Sequence, residues 1–188
     1  MALDRVIRGR LEPDGQVRDI VVTNGRILEI RPPADPPEAP LTGDQTCVVS
    51  EAFFDLQVNG FAGVDFNRPT LNGEELLRAT QAMWAHGVSR FFPTVITAPV
   101  EAMARTLAAI RRAREDNPIL APAIPGIHLE GPFLCPEDGP RGAHPRAYVR
   151  DPDWDTFCRF QEASGSLIRL VTLAPERPGA LDLIHRLR

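Results

Sequence analysis

The sequence predicts an α/β fold: a small β segment at residues 1–50, then about four strand–helix units at residues 51–188 that form part of a barrel. Two observations predict it. Short β-like runs without helical periodicity precede a proline-rich stretch at 32–40, and apolar strands alternate regularly with amphipathic helices after it. Regular alternation favours right-handed βαβ units and a parallel sheet. Four such units are half of a (β/α)8 TIM-like barrel.

The β segment contains three β-like runs, at 5–8, 19–23 and 26–30. The last two are joined by Asn24-Gly25, a typical sequence for a tight type I′ turn, so we expect a hairpin there. The prolines of 32–40 remove backbone donors and fix φ, which predicts a loop.

Each predicted strand–helix unit is bounded by capping or breaking residues. Gly87 ends the first helix, Pro99 begins the second, and Asp151-Pro152 supply the N-cap and first turn of the third. A glycine-rich loop at 59–67 follows the first strand. The strands are predicted at 53–58, 88–96 with a late break at Pro93, 123–129 and 167–173, and the helices at 74–86, 99–114, 152–165 and 178–187.

Composition narrows the class of function. The apolar fraction of 43% and the charged fraction of 24% are typical of a soluble globular protein, and a net charge of -4 gives no general attraction to nucleic acid or anionic membranes. The scattered Cys47, Cys135 and Cys158 fit a reducing compartment, and no signal peptide or transmembrane run is indicated. We therefore expect a cytoplasmic protein with a small-molecule partner and neither a nucleic-acid nor a membrane partner.

Polar residues follow the predicted strands where each strand ends. The most prominent is Glu130, which ends the apolar strand of Gly126–Phe133 and is followed by Gly142-Ala143-His144-Pro145. A carboxylate at the end of a buried strand needs a metal ion, a cation or a substrate nearby, because an unpaired buried charge is costly. In a parallel barrel the carboxyl ends of the strands share one face, so Gln57 and Asn59 are expected at the same site.

Five ordered motifs resemble the amidohydrolase superfamily and, within it, the N-acetylglucosamine-6-phosphate deacetylase family. They are FDLQVNG at 54–60 with GVDFN at 63–67, FPTVIT at 92–97, HLEGPFL at 128–134, GAHP at 142–145 and VTLAPE at 171–176. The resemblance implies the N-terminal half of such an enzyme: a β-sandwich segment followed by half of a TIM barrel.

The resemblance also implies roles for individual residues. Glu130 matches the family's metal-binding glutamate, and Ala143 with His144 matches a segment that contacts the sugar. Gln57 and Asn59 stand where many amidohydrolases carry a His-x-His pair. Because amides are weak ligands for transition metals, we expect one divalent metal ion, Zn or alternatively Fe, Co or Mn.

The reaction implied by the resemblance removes the acetyl group of N-acetylglucosamine 6-phosphate, giving glucosamine 6-phosphate and acetate. The metal polarises the carbonyl and activates water, an aspartate takes the proton, and His144 could donate to a sugar hydroxyl or to the oxyanion. In the family, two histidine ligands and that aspartate lie on later strands. We therefore expect a truncated form with impaired activity, whose catalytic base lies beyond Arg188.

Other interpretations stay open from the residues alone. Glu130 could pair with an arginine such as Arg141. His128 lies on the same side of its strand as Glu130 and is typical of a hydrogen-bonded core histidine, or of one that supports the site residues without touching the metal. Gln57 and Asn59 could also have such a supporting role. The chain could also be a non-catalytic half-barrel module that forms a homodimer through the open edge of its fourth strand. A third possibility is an amidohydrolase acting on another N-acylated amine.

Overall fold

In the computed structural model, which describes residues 5–188, the chain divides into two units between Ala52 and Phe53. The first unit is a five-stranded sheet in which β3, β2, β1 and β4 lie in that order and β5 also pairs with β1. Its strands are β1 (Arg5–Leu11), β2 (Gln16–Thr23), β3 (Arg26–Arg31), β4 (Leu41–Thr42) and β5 (Val48–Val49).

The predicted hairpin of the first unit is confirmed. β2 and β3 are antiparallel, with Thr23 opposite Arg26, and both turn residues have positive φ: 49° at Asn24 and 68° at Gly25. That is the backbone of a type I′ turn, which asparagine and glycine tolerate best. The strands run longer than predicted, since β1 extends to Leu11 and pairs antiparallel with β2 along its length.

A buried ion pair ties the proline-rich segment to this sheet. Arg8 donates from Nε to Asp19 Oδ1 at 2.6 Å and from Nη2 to Oδ2 at 2.9 Å, and the Ala34 amide also donates to Oδ2 at 2.9 Å. Asp19 is 0% exposed. Hydrogen bonding from Arg8 holds the pKa of Asp19 below its usual value despite burial, which alone would raise it.

The second unit is a four-stranded parallel sheet with helices, which confirms the predicted α/β class. The strands lie in the order β11, β10, β9, β6, and two further strands form an antiparallel pair in the loop after β6. The elements are β6 (Phe53–Val58), β7 (Gly60–Phe61), β8 (Val64–Asp65), α1 (Gly73–Ala85), β9 (Val88–Ile96), α2 (Val100–Asp116), α3 (Leu120–Ala123), β10 (Ile127–Glu130), a 3₁₀ helix (Arg146–Tyr148), α4 (Trp154–Ala163), β11 (Ile168–Thr172) and α5 (Ala180–Leu187).

The predicted break at Pro93 is wrong, since β9 continues through it. Proline lacks a backbone N–H, but the neighbouring β6 is irregular at this point, with a register shift between Asp55 and Val58 opposite Pro93. The Val58 amide bonds to the Thr94 hydroxyl at 3.1 Å instead. β9 can therefore keep its pairing with β10 on the other side, where Thr94 lies opposite His128.

Two predicted boundaries also move. The third strand begins at Ile127 and not at Ala123, because Ala123 is the last residue of the short helix α3. The N-cap of α4 is Asp153, whose carboxylate accepts from the Thr156 amide at 2.8 Å, and not Asp151, which pairs with Arg177. α1 ends close to the predicted residue, with His86 as its C-cap, and α2 begins close to the predicted residue, with Pro99 as its N-cap.

The core of the second unit lies between the sheet and its helices. Phe66, Phe91, Leu107, Ile110 and Phe160 are fully buried there, and each such side chain contributes about 1.5–3 kcal/mol. The outer strand β6, by contrast, leaves apolar side chains in solvent, since Phe53 is 70% and Leu56 49% exposed. Within residues 5–188, no helix is both long and apolar enough to cross a membrane.

Candidate active site

A pocket of about 520 Å³ opens where the parallel strands of the second unit end. Glu130, the last residue of β10, lies opposite Ile96 on β9 and Thr172 on β11, so the three strand ends are level. The loop after β10 supplies the remaining wall. The lining residues are Gln57, Asn59, Ile96, Glu130, Leu134, Pro140, Arg141, Gly142, Ala143, His144 and Thr172.

The pocket therefore brings together five of the six site residues that the sequence singles out, all but His128. Glu130 lines it with a side chain that is 19% exposed. Its Oε2 accepts a hydrogen bond from Gln57 Nε2 at 3.1 Å, and its Oε1 lies 3.7 Å from His144 Nε2. One carboxylate oxygen is thus bonded within the protein, and the other faces an imidazole beyond hydrogen-bond distance.

Arg141 does not pair with Glu130, so that interpretation is wrong. Its guanidinium pairs with Asp138 and donates to the carbonyl oxygens of Pro136 at 3.4 Å and His144 at 2.6 Å. Arg141 thereby holds the backbone of the loop that presents Ala143 and His144, and its charge is paired with Asp138 inside that loop.

His144 is held at the other end by Thr97, the residue after β9. The His144 Nδ1 atom lies 3.0 Å from the Thr97 hydroxyl, which also lies 3.4 Å from the carbonyl oxygen of Glu130. Gly131, with φ of 91°, begins the loop, and a Cβ there would overlap the Thr97 hydroxyl. A glycine is therefore needed for β10 to turn so close to Thr97.

His128 lies behind the pocket and is 2% exposed. Its Nδ1 is 3.2 Å from the Thr94 hydroxyl and its Nε2 2.7 Å from the Thr172 hydroxyl, so the ring links β9 and β11 across β10. Burial lowers its pKa, and the nearby charge of Glu130 opposes that shift. These contacts are those of a hydrogen-bonded core histidine; a supporting role for the site stays a prediction.

Sequence reasoning gave no role to Asn67, which anchors the loop after β6 to the end of β9. Its side chain donates to the Thr94 carbonyl at 3.0 Å and accepts from the Ile96 amide at 2.9 Å. The signal available was its place in the GVDFN motif at 63–67, where an asparagine follows a glycine-rich turn.

The donor set of the described residues does not fit a catalytic metal ion by itself. Across residues 5–188, no group of three or more His, Cys, Asp and Glu side chains is arranged to hold a metal. Beside Glu130 the pocket offers the imidazole of His144 and the amides of Gln57 and Asn59. A catalytic zinc ion commonly has three protein ligands, with histidine and carboxylate preferred over amides.

No protein-family model matches the chain. The N-acetylglucosamine-6-phosphate deacetylase of Bos taurus is 36% identical over 144 residues, which are 75% of this chain and 34% of that protein. The Bacillus subtilis enzyme of the same name is 28% identical over 171 residues, 89% of this chain and 42% of that protein. An N-acetylgalactosamine-6-phosphate deacetylase from Shewanella is 38% identical over 147 residues, covering 76% and 34%.

Two solved structures from Mycobacterium smegmatis resemble the fold. One is an N-acetyl-D-glucosamine-6-phosphate deacetylase with a TM-score of 0.80 and 27% identity, covering 97% of this chain and 50% of that one. The other is a mutant of that enzyme in complex with N-acetyl-D-glucosamine-6-phosphate, with a TM-score of 0.81 and 28% identity, covering 98% and 46%. The chain thus spans between a third and a half of the length of these relatives.

Proposed function

Because this chain is a homologue of the N-acetylglucosamine-6-phosphate deacetylases, as its motifs predicted, we propose that it provides part of the site at which such an enzyme deacetylates its substrate. The reaction hydrolyses the acetamide of N-acetylglucosamine 6-phosphate to glucosamine 6-phosphate and acetate. The single observation that supports the proposal most is the pocket in which Glu130, Gln57 and His144 meet at the strand ends.

Each residue has a distinct part in this proposal. Gln57 fixes one oxygen of Glu130 by its amide hydrogen bond, which leaves the other oxygen directed at the pocket. Ala143 and His144 contact the sugar from the loop wall, which Arg141 keeps in place through the His144 carbonyl. A small residue at 143 leaves room for a ring, while imidazole offers a polar contact to it.

The fold and the metal belong to the same proposal. We propose that residues 53–188 are half of a (β/α)8 barrel and that residues 5–52 are part of a β-sandwich, which the four parallel strands and the partial coverage of relatives support.

Glu130 would contribute one ligand to a single divalent ion, Zn or alternatively Fe, Co or Mn. Further ligands and the catalytic base would have to come from residues other than those described.

The three cysteines of the chain are free. Free thiols, two of them exposed, suit a reducing compartment, and we propose the cytoplasm as the location. Fractionation of cells that produce the tagged protein tests this, and recovery from an oxidising compartment would contradict it.

The decisive experiment measures binding and turnover separately on the pure 188-residue chain. Isothermal calorimetry with N-acetylglucosamine 6-phosphate is expected to detect weak binding, reduced at least tenfold by His144→Ala. Acetate release in the presence of added Zn²⁺ is expected to be negligible. Turnover at an ordinary enzymatic rate would contradict the expectation that the site is incomplete. Absence of binding would contradict N-acetylglucosamine 6-phosphate as the substrate.

A different substrate is the second candidate, because one relative at 38% identity is an N-acetylgalactosamine-6-phosphate deacetylase. The two sugars differ in the orientation of one hydroxyl, and fold and family do not determine which is preferred. Competition between the two acetylated sugar phosphates, with unphosphorylated N-acetylglucosamine as control, distinguishes them. Equal binding of the unphosphorylated sugar would favour another N-acylated amine.

A non-catalytic assembly role is the third candidate, supported by a groove of about 1100 Å³ along β11 between α4 and α5. Its occupant would be a second copy of the chain, since β6 and β11 are both open edges and the exposed Phe53 and Leu56 of β6 need an apolar partner. Pairing each β11 with the β6 of the other copy gives eight strands. Light scattering tests this: a concentration-independent monomer would contradict it.

A further inference from the structure

Asn67 anchors the loop after β6 through both ends of its side-chain amide. The nitrogen donates to the Thr94 carbonyl at 3.0 Å, and the oxygen accepts from the Ile96 amide at 2.9 Å. β6 ends at Val58, so the Asn67 side chain occupies the edge of β9 that β6 leaves unpaired beyond that residue. The Asn67 carbonyl also accepts from the buried Thr106 hydroxyl on α2 at 3.4 Å. Asn67 is therefore fixed to a strand and to a helix of the same unit.

The same loop carries Asn59, which lines the pocket. The Asn59 carbonyl accepts from the Phe66 amide at 3.0 Å, and Phe66, the residue directly before Asn67, is fully buried. A Cβ at Gly60 would overlap the Val64 carbonyl oxygen, so the chain folds closely on itself just after Asn59. The backbone of Asn59 is therefore held by the segment that Asn67 anchors.

The side chain of Asn59 is exposed at the pocket, and among residues 5–188 it makes no hydrogen bond. The other amide of the pocket, that of Gln57, is already bonded to Glu130. A primary amide has two N–H donors and a carbonyl acceptor. Asn59 therefore offers a ligand both kinds of hydrogen bond, from a backbone position that does not have to be ordered on binding.

We propose that Asn67 is a positioning residue that holds Asn59 at the pocket, where the Asn59 side-chain amide hydrogen-bonds a neutral group of the acetylated sugar, either its acetamide or a hydroxyl. The identity of this ligand rests on the proposed function. The dependence of Asn59 on Asn67 rests on contacts within the chain. An uncharged amide matches such groups because it can donate to an oxygen and accept from an N–H or O–H.

Amide hydrogen exchange of the 188-residue chain, followed by NMR, tests the positioning without a ligand. The Phe66 amide reports on the loop, because it donates to the Asn59 carbonyl, and the amide of Ile110 within α2 reports on the core. Asn67→Ala removes both side-chain bonds to β9, so exchange at Phe66 should become about tenfold faster or more relative to Ile110. Unchanged relative exchange at Phe66 overturns the proposal.

A matched asparagine separates this effect from a general loss of stability. Asn72 is the N-cap of α1, and its side chain accepts from the Glu75 amide at 2.9 Å. Asn72→Ala should lower the melting temperature, because a helix loses its cap, and should leave the exchange of Phe66 relative to Ile110 unchanged.

A second change at position 67 keeps the test decisive. Asn67→Asp keeps an acceptor for the Ile96 amide and loses the donor to the Thr94 carbonyl. The second carboxylate oxygen then faces the Thr94 carbonyl, which is another acceptor. Exchange at Phe66 should accelerate as in Asn67→Ala, and Asn67→Asp decides the matter if Asn67→Ala does not fold.

Isothermal calorimetry with N-acetylglucosamine 6-phosphate tests the contact itself. Asn59→Ala should weaken binding about fivefold, the effect of one neutral hydrogen bond. Asn67→Ala should weaken it to a similar degree, and the double variant no more than Asn59→Ala alone, because both changes remove one contact. Losses that multiply in the double variant would overturn the proposal. Asn72→Ala should bind like the unmodified chain.

Glucosamine 6-phosphate, which lacks the acetyl group, distinguishes the two neutral groups. A loss in Asn59→Ala for the acetylated sugar alone assigns the contact to the acetamide, and an equal loss for both ligands assigns it to a hydroxyl. Binding that Asn59→Ala does not weaken overturns the contact. Failure of N-acetylglucosamine 6-phosphate to bind the unmodified chain contradicts the proposed function, and the exchange measurements then decide the positioning of Asn59 on their own.

Discussion

Asp19 and Glu130 are both carboxylates on strands, and each lies beside a basic side chain. They differ in how fully their oxygens are hydrogen-bonded. Asp19 is fully buried and bonded to the Arg8 guanidinium at 2.6 and 2.9 Å and to the Ala34 amide. Glu130 keeps one oxygen bonded to Gln57, while the other is 3.7 Å from His144 and faces a pocket. Hydrogen bonds to both oxygens of Asp19 indicate a structural role, whereas Glu130 keeps one oxygen for the ligand binding proposed above.

The same comparison predicts how much folding stability is lost when each residue is replaced. Removing one partner of a buried ion pair leaves an uncompensated charge, which is strongly destabilising. Removing a carboxylate whose partners are an amide and a distant imidazole leaves little unpaired. We therefore expect the matched replacements of the two residues by their amides to separate stability from binding.

The largest expected effect is that of Asp19→Asn. Loss of the charge leaves Arg8 without its charged partner and weakens the link to Ala34, so the free energy of unfolding should fall by about 3 kcal/mol, measured by urea denaturation. Glu29→Ala, which removes an exposed carboxylate 3.6 Å from the half-buried Arg31, is the control and should cost under about 1 kcal/mol. Equal losses in the two variants would contradict a structural role for Asp19.

A smaller loss is expected from Gly131→Ala. Both Gly131 and Gly139 have positive φ, at 91° and 95°, but a Cβ at 139 meets no atom within 4 Å, whereas one at 131 overlaps Thr97. Gly139→Ala should cost about 1 kcal/mol for the backbone alone, and Gly131→Ala about 1 kcal/mol or more beyond that. Thermal and urea denaturation measure both. If the two variants lose the same stability, the Thr97 contact is not tight.

Acid sensitivity gives the next test of the Asp19 pair. Its pKa is lowered from 3.8 in the folded chain, chiefly by the Arg8 hydrogen bond, so the unfolded state binds more protons as pH falls. The contribution is fully present above about pH 4 and is lost as pH falls through the folded pKa. Asp19→Asn should therefore show a shallower loss of stability than the unmodified chain between about pH 4 and pH 2. Parallel slopes would contradict this assignment.

Local patterns predicted most of the elements, because apolar periodicity and turn residues act over a few positions. The Asn24-Gly25 hairpin, the parallel strands and the meeting of Glu130 with Gln57 follow from such patterns together with the strand-end rule. The break at Pro93 was wrong because the proline rule acts on one strand, whereas an irregularity in β6 removed the need for its N–H.

Contacts between distant residues could not be predicted from the same patterns. Arg8 meets Asp19 through the register of β1 and β2, and Thr97 meets His144 because the loop after β10 returns across the end of β9. Either contact would be lost by a shift of one or two residues. The pairing of Asp151 with the distant Arg177, while Asp153 caps α4, is likewise a contact that local patterns do not predict.

The smallest effect on stability is expected from Glu130→Gln, and it completes the comparison. The new amide can still accept from Gln57 on its oxygen, and its nitrogen faces the pocket, so the free energy of unfolding should change by less than about 0.5 kcal/mol. If Glu130 is the metal ligand proposed above, Zn²⁺ binding by the isolated chain is expected to be weak and should fall at least tenfold in this variant, measured by competition with a chelating dye. A loss of stability as large as that of Asp19→Asn would mean that Glu130 is structural as well, because its hydrogen-bond partner in the folded chain, Gln57, is an uncharged amide whose bond a glutamine oxygen can keep.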